Sequence, residues 1–98
     1  MSITVVTRYS GDVEVMLKAA KVNAPLFLKY GATNVRMMRI TTGPNYGHHL
    51  AAMTYDSYAA MEACQAQLNK DPAYKKAVAM LQKATVAHER NILVDVPF

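Results

Sequence analysis

The chain has 98 residues, of which 52% are hydrophobic and 18% charged, and its net charge is +4. This length predicts one domain, residues 1–98. The composition excludes disordered, collagen-like and low-complexity chains, because enough apolar surface is present to offset the conformational entropy of the chain. The single cysteine, Cys64, cannot form an internal disulfide, so a disulfide scaffold is excluded as well.

Charge and hydropathy also bear on the partners of the protein. No apolar run approaches the roughly 20 residues of a membrane helix, and the first residues do not resemble a signal peptide. We therefore expect a cytoplasmic protein without a membrane partner. The basic residues are spread from Arg8 to Arg90, and the longest run is Lys75-Lys76. Such spreading is typical of a solvated surface, so we expect no nucleic-acid partner.

The first two predicted elements are a strand and a helix. Ile3 to Tyr9 is rich in β-branched and aromatic residues, which is typical of a strand. Asp12 is a natural helix N-cap, and apolar residues then recur at helical spacing. Pro25 predicts a kink or a restart of this helix near Asn23-Ala24, and Gly31 stands where a glycine commonly ends a helix.

The remaining elements follow from turn and capping residues. The turn residues at 42–47 predict a hairpin. Capping residues at Asp56-Ser57 and Asp71-Pro72 predict a second helical region that stops and restarts. The predicted strands of this part are Thr33 to Thr41, His48 to Tyr55 and Val86 to Val96. The order β-α-β-β-α-β predicts an α+β, ferredoxin-like fold, with a four-stranded antiparallel sheet and the helices on one of its faces.

The apolar pattern of the strands predicts how the protein assembles. A sheet with helices on one face and water on the other should alternate apolar and polar residues. These strands carry apolar residues on both faces: Val5 and Val6, Met37 and Met38, Leu50 and Met53, Leu93 and Val94. Two helices cannot cover both faces, so we predict an obligate homodimer in which a second copy of the sheet covers the other face.

The three histidines are candidate metal ligands, and the predicted topology argues against that role. We expect the first and third strands to be parallel neighbours, which places His48 and His49 at the opposite end of the sheet from His88. His48 and His49 also point to opposite faces. The predicted helices contain no histidine that could bind haem. We therefore expect no metal and no cofactor, and we interpret Cys64 as a small buried apolar residue.

Aromatic and polar residues are predicted to converge between the sheet and the helices. A cleft of this composition is typical of a site for a small, mostly apolar or aromatic organic molecule. His49 is the candidate catalytic base, and Tyr9, Tyr55 and Tyr74 would orient an enolic or phenolic oxygen. The candidate substrate-binding residues are Thr7, Asn23, Phe27, Tyr30, Met53 and Tyr58.

Three arginines, Arg36, Arg39 and Arg90, lie on predicted strands. An arginine that faces inward must be paired, across the dimer with Glu89 or Asp95, because an unpaired buried charge is costly. We expect a structural role for these arginines rather than anion recognition.

The element order, the two-faced strands, Gly31 before the second strand and the run Asp71-Pro72-Ala73-Tyr74 together resemble the dimeric α/β-barrel superfamily. That superfamily includes antibiotic-biosynthesis-type monooxygenases, stress-responsive barrel proteins with their polyketide-cyclase relatives, and muconolactone isomerases. NIPSNAP-like proteins, which also belong to it, are the most similar in the general character of their sequences. The resemblance implies two sheets joined as a barrel by dimerisation, with a pocket between each sheet and its own helices.

The chain departs from the enzymes that it resembles. Tyr74 stands where cyclase-type members have a histidine, the tryptophan of the cofactor-free monooxygenases is missing, and so is the axial histidine of the haem-degrading branch. Two hypotheses therefore remain. One is an enzyme that acts without metal or haem on an aromatic or polyketide-like substrate, as a monooxygenase or an isomerase/cyclase. The other is a non-catalytic dimer of undefined activity, which binds a small ligand or has a structural role. It predicts an interior that side chains such as Met53 and Phe27 close.

Overall fold

The β-branched runs form strands and the capped runs form helices, in the order that the sequence predicts. The computed structural model describes residues 2–98, so Met1, the first residue of the predicted domain, lies outside the described range. Across residues 2–98 the elements are β1 Ile3–Gly11, α1 Val13–Lys29, β2 Asn34–Arg39, β3 His49–Tyr55, α2 Tyr58–Leu68, α3 Pro72–Ala84 and β4 Thr85–Val94. The α+β, ferredoxin-like fold is confirmed, with the second helical region divided into α2 and α3.

The strands of this sheet lie in the order β2-β3-β1-β4, and every neighbouring pair is antiparallel. The prediction that the first and third strands are parallel is therefore wrong. The connection through α1 makes β1 and β2 parallel, and β3 lies between them and runs against both. Because β3 and β4 are both antiparallel to β1, they start at the same end of the sheet. The rings of His48 and His88 lie there with their centroids 4.9 Å apart, so their predicted separation is also wrong.

Each helix begins at a predicted capping residue, whose side chain accepts backbone hydrogen bonds: Asp12, Ser57 and Asp71. The predicted restart at Pro25 is wrong, since α1 continues through this residue. Asn23 and Phe27 are buried on either side of Pro25 and one turn apart, so tertiary packing holds the helix where one hydrogen bond is lost. None of the helices in residues 2–98 is long and apolar enough to cross a membrane.

The core lies between the helices and one face of the sheet. It is formed by Ile3, Val5, Phe27, Ala32, Tyr55, Cys64 and Leu68. Cys64 is fully buried, as predicted, and burial raises the pKa of its thiol. The opposite face, here called the open face, carries the even-numbered residues of β1 and β3. Among them Val6 and Leu50 are half-buried, and Thr4 and Thr54 join their hydroxyls at 3.0 Å.

The helical region joins the sheet without a loop at one point. Ala84 ends α3 and Thr85 begins β4. The backbone N–H of Asp12 donates to the carbonyl of Ala84 at 3.1 Å. Gly11, with φ +128°, ends β1 against this junction. The start of α1, the end of α3 and two strand ends therefore meet at one corner of the fold.

Candidate functional site

A cavity of about 690 Å³ lies between the sheet and the helices. The alternation of the strands sends the odd-numbered residues of β1 and β3 towards it, while α1, α2 and α3 supply the other walls. The residues that the sequence predicts for the site and that line the cavity are Thr7, Tyr9, Asn23, Phe27, Met53, Tyr55 and Tyr74. The interior is open, so the closed interior expected for the non-catalytic alternative is not found.

Three predicted site residues are not among the residues that line the cavity. His49 is buried opposite Tyr9 in the strand register, and its Nδ1 has no hydrogen-bond partner within the described chain. The hydroxyl of Tyr30 donates to Asp71 at 2.7 Å and so ties the end of α1 to the start of α3. Tyr58 is 50% exposed, so the prediction that it points inward is wrong. Tyr58 is the first residue of α2, and the residues of that helix that line the cavity begin one turn later, at Met61.

Two of the tyrosine hydroxyls in the cavity, those of Tyr9 and Tyr55, have a raised pKa and stay protonated at neutral pH. Burial is the main cause that raises the pKa of Tyr9 and of Tyr55, while the positive charge of Arg90 lowers both to a smaller extent. The ring of Tyr74 meets Phe27 edge-on at 5.9 Å, and its hydroxyl lies 3.5 Å from Nε2 of Gln65. The phenols of Tyr9 and Tyr55 are therefore available as hydrogen-bond donors in a largely apolar space, and the Tyr74 hydroxyl accepts from Gln65.

The structure adds charged and polar residues that the sequence reasoning did not place in the site. Arg90 pairs with Thr7 in the strand register and lines the cavity, and Glu62 and Gln65 line it from α2. The position of Arg90 on the strand beside β1 could have indicated which face of the sheet this residue occupies. That signal could not be used, because the register between β1 and β4 shifts at Arg8/Tyr9, and one extra residue reverses the face of every residue beyond it.

Two polar features complete the description of the site. Asn23 is 9% exposed, and its Oδ1 makes no hydrogen bond within residues 2–98. A buried polar atom without a partner costs free energy, so a carboxamide in a cavity wall is typical of a group that a ligand or a water satisfies. The part of the chain that the structure describes contains no group of three or more His, Cys, Asp or Glu side chains that could hold a metal ion.

Solved structures share this fold at low sequence identity. One is SnoaB, a cofactor-independent oxygenase from Streptomyces nogalater, with 13% identity and a TM-score of 0.76 over 99% of this chain and 95% of that chain. A NIPSNAP family protein from Agrobacterium tumefaciens has 17% identity and a TM-score of 0.76, covering 99% of this chain and 88% of that chain. An antibiotic biosynthesis monooxygenase-like protein from Chloroflexus aurantiacus has 11% identity and a TM-score of 0.68, covering 100% and 96%.

These similarities confirm the predicted resemblance to the NIPSNAP and antibiotic-biosynthesis-monooxygenase group at the level of the fold. No curated protein sequence matches the chain. One family, described as a domain of unknown function (DUF6854), has a sequence model that matches residues 1–94, and the chain belongs to this family.

Proposed function

We propose that this protein binds a small aromatic or polyketide-like molecule in its cavity and transforms it without metal or haem, as a monooxygenase or an isomerase/cyclase. The observation that carries the proposal is the cavity of about 690 Å³, whose apolar walls surround the hydroxyls of Tyr9, Tyr55 and Tyr74. A concave, mostly apolar space with a few polar groups is typical of a small-molecule site. The fold shared with SnoaB, a cofactor-independent oxygenase, supports the same class of chemistry.

The lining residues suit a substrate that has an enolic or phenolic oxygen. The hydroxyls of Tyr9 and Tyr55 donate hydrogen bonds to that oxygen. Arg90 supplies a positive charge, which stabilises the negative charge that develops when a neighbouring C–H loses its proton. The carboxamide of Asn23 contacts the substrate from the α1 side. Thr7, Phe27 and Met53 shape the remaining wall.

Two residues are candidates for the base that takes the proton. His49 is the base that the sequence predicts, and it lies buried beside Tyr9, outside the cavity lining. Glu62 of α2 lines the cavity with a carboxylate. If His49 serves, its ring must turn into the cavity, which it does not line in this conformation. If Glu62 serves, it takes the proton directly.

The test is proton exchange from enolisable aromatic ketones in D₂O, followed by NMR. We expect the protein to catalyse exchange, and His49→Ala or Glu62→Gln to slow it by about 100-fold or more, as loss of a general base does. Tyr46→Phe is the control, since Tyr46 is 71% exposed and is not among the lining residues. Exchange by both base variants at the rate of the wild type contradicts the isomerase/cyclase proposal. Oxygen uptake with the same ketones tests the monooxygenase form.

A non-catalytic ligand-binding protein is the second candidate, and the position of His49 outside the lining favours it. It predicts that the same ketones bind, measured by calorimetry, without exchange or oxygen uptake. For either candidate we expect the cytoplasm as the location, because the buried thiol of Cys64 stays reduced there.

We also propose that two copies of the chain form a homodimer through the open face. Val6 and Leu50 are half-buried apolar residues on this face, and Ala52 beside them is buried. Arg36, the register partner of Ala52, and Glu89 put opposite charges on the same face, as a self-complementary contact requires. Sedimentation velocity at micromolar concentration and pH 7.5 should give the mass of a dimer. A folded monomer under these conditions contradicts this proposal.

A further inference from the structure

Side chains from β1, from β4 and from the residue before β3 form a cluster of polar contacts at one end of the open face, here called the histidine cluster. Its members are Arg8, Ser10, His48, His88 and Glu89. Nη1 of Arg8 lies 2.7 Å from Nδ1 of His48, and Oγ of Ser10 lies 2.6 Å from Nε2 of His88. The two imidazole rings stack at 4.9 Å with an angle of 13° between their planes. Nε of Arg8 lies 3.5 Å from the carboxylate of Glu89.

The bond to Arg8 determines the protonation state of His48. A guanidinium has donors only, so Nδ1 of His48 must accept and the ring proton must be on Nε2. A protonated His48 would carry hydrogens on both nitrogens and would lose this bond. The pKa of His48 is lowered, first by partial burial and then by the charges of Arg8, His88 and His49. The structure therefore describes the neutral form of the ring.

The groups around His48 give little compensation for a positive charge. Arg8 contacts it from β1 and His88 stacks on it from β4, while Ser10 contacts His88 and Glu89 pairs with Arg8. His49 follows it in sequence and points to the other face of the sheet. Glu89 is the acidic member of this set, it is already paired with Arg8, and its side chain is 59% exposed, so its attraction is largely screened by water. Protonation of both stacked rings thus places three positive charges side by side.

We propose that the histidine cluster makes the contact between two copies of this chain acid-sensitive: the neutral cluster lets the open faces pack, and protonation of His48 and His88 separates them. This inference rests on the proposed homodimer. In a two-fold contact each residue occurs twice, so acid adds up to four positive charges beside two copies of Arg8. Desolvation in the contact strengthens this repulsion, because the charges are no longer screened by bulk water.

The test is sedimentation velocity over a concentration series at pH 7.5 and at pH 5.0. We expect a dimer at pH 7.5 and a dissociation constant that rises about tenfold or more at pH 5.0, the range in which histidines titrate. A monomer at pH 7.5 overturns the dimer itself. A dimer whose dissociation constant is the same at both pH values leaves the dimer standing and overturns the acid sensitivity.

Matched variants assign the effect to the two rings. In the double variant His48→Asn/His88→Gln, the amide oxygens and nitrogens can keep the bonds to Arg8 and Ser10 but cannot take up a proton. We expect this variant to be a dimer with the same dissociation constant at both pH values. Glu14→Gln, which removes an exposed carboxylate from α1 and keeps the whole cluster, should retain the response. Circular dichroism checks that the variants fold. If the double variant does not fold, the two single variants are measured instead, and each should show a smaller change of the dissociation constant with pH. A double variant as acid-sensitive as the wild type overturns the inference.

Discussion

Adding a single methyl group at Gly11 should strongly destabilise the fold. A Cβ built there would lie 2.5 Å from the carbonyl oxygen of Ala84 and 2.8 Å from the Cα of Thr85, and both are backbone atoms that cannot swing aside. Its φ of +128° is also one that side chains rarely adopt. We expect Gly11→Ala to lower the free energy of unfolding by about 3 kcal/mol or more, measured by urea denaturation.

Gly43 is the matched control for this substitution. Its φ is +88°, and no described residue would lie within 4 Å of its Cβ. Gly43→Ala should therefore cost only the backbone strain, about 1 kcal/mol. Equal losses at the two glycines would show that the close approach at Gly11 is not what matters.

Asp71 links stability to acid pH. Its carboxylate accepts from the Tyr30 hydroxyl at 2.7 Å and from the backbone N–H groups of Ala73 and Tyr74 at 2.9 and 3.3 Å. The Tyr30 bond is the main cause that lowers the pKa of Asp71 below its ordinary value. This stabilisation is complete above the ordinary pKa of an aspartate and is lost as the pH falls through the lower pKa of the folded state.

We expect Asp71→Asn to flatten the fall in Tm between about pH 5 and pH 2 by removing the titrating group. The matched control is Asp56→Asn, because Asp56 is exposed and stands one residue before the cap of α2. A Tm profile of Asp71→Asn that follows the wild type throughout would contradict the role of this carboxylate. Calorimetry over the same pH range gives both profiles.

At the scale of elements, two prolines in helices should respond with opposite signs. Pro25 lies inside α1, where it lacks the N–H of a helical hydrogen bond, so Pro25→Ala should raise the free energy of unfolding by about 1–3 kcal/mol. Pro72 is at the start of α3, where its fixed φ restricts the unfolded chain, so Pro72→Ala should lower it by about 0.5–1 kcal/mol. Urea denaturation measures both, and changes of the same sign would contradict this account.

The helix ends could be predicted from the sequence because capping is local. Asp12, Ser57 and Asp71 each accept hydrogen bonds from residues two or three positions later, so short windows contain the whole signal. The direction of strand pairing depends on the crossover through α1, which joins residues far apart in the chain. That is why the proximity of His48 to His88 was missed.

At the scale of the whole molecule, the cavity was predictable in part. Thr7, Tyr9, Met53 and Tyr55 line the cavity together because strand alternation has a period of two, which groups them on one face without knowledge of the partner strand. The ends of the cavity depend on how far each helix extends over the sheet, which no local pattern contains. His49 and Tyr58 are not among the residues that line the cavity, and Arg90 was missed because of the register shift in β4.

The junction at Ala84 and Thr85 determines where the chain can tolerate extra length. Because α3 passes into β4 without a spacer, a short Gly-Ser insertion there would push the strand out of register or the helix off the core. The same insertion after Gly43 extends an exposed turn. We expect the protein with the insertion after Gly43 to have a Tm within a few degrees of the wild type. The protein with the insertion between Ala84 and Thr85 should lose cooperative thermal unfolding. The direct connection also couples the position of α3 to that of β4. A ligand that widens the cavity by displacing α3 would therefore also displace β4, the strand that carries His88.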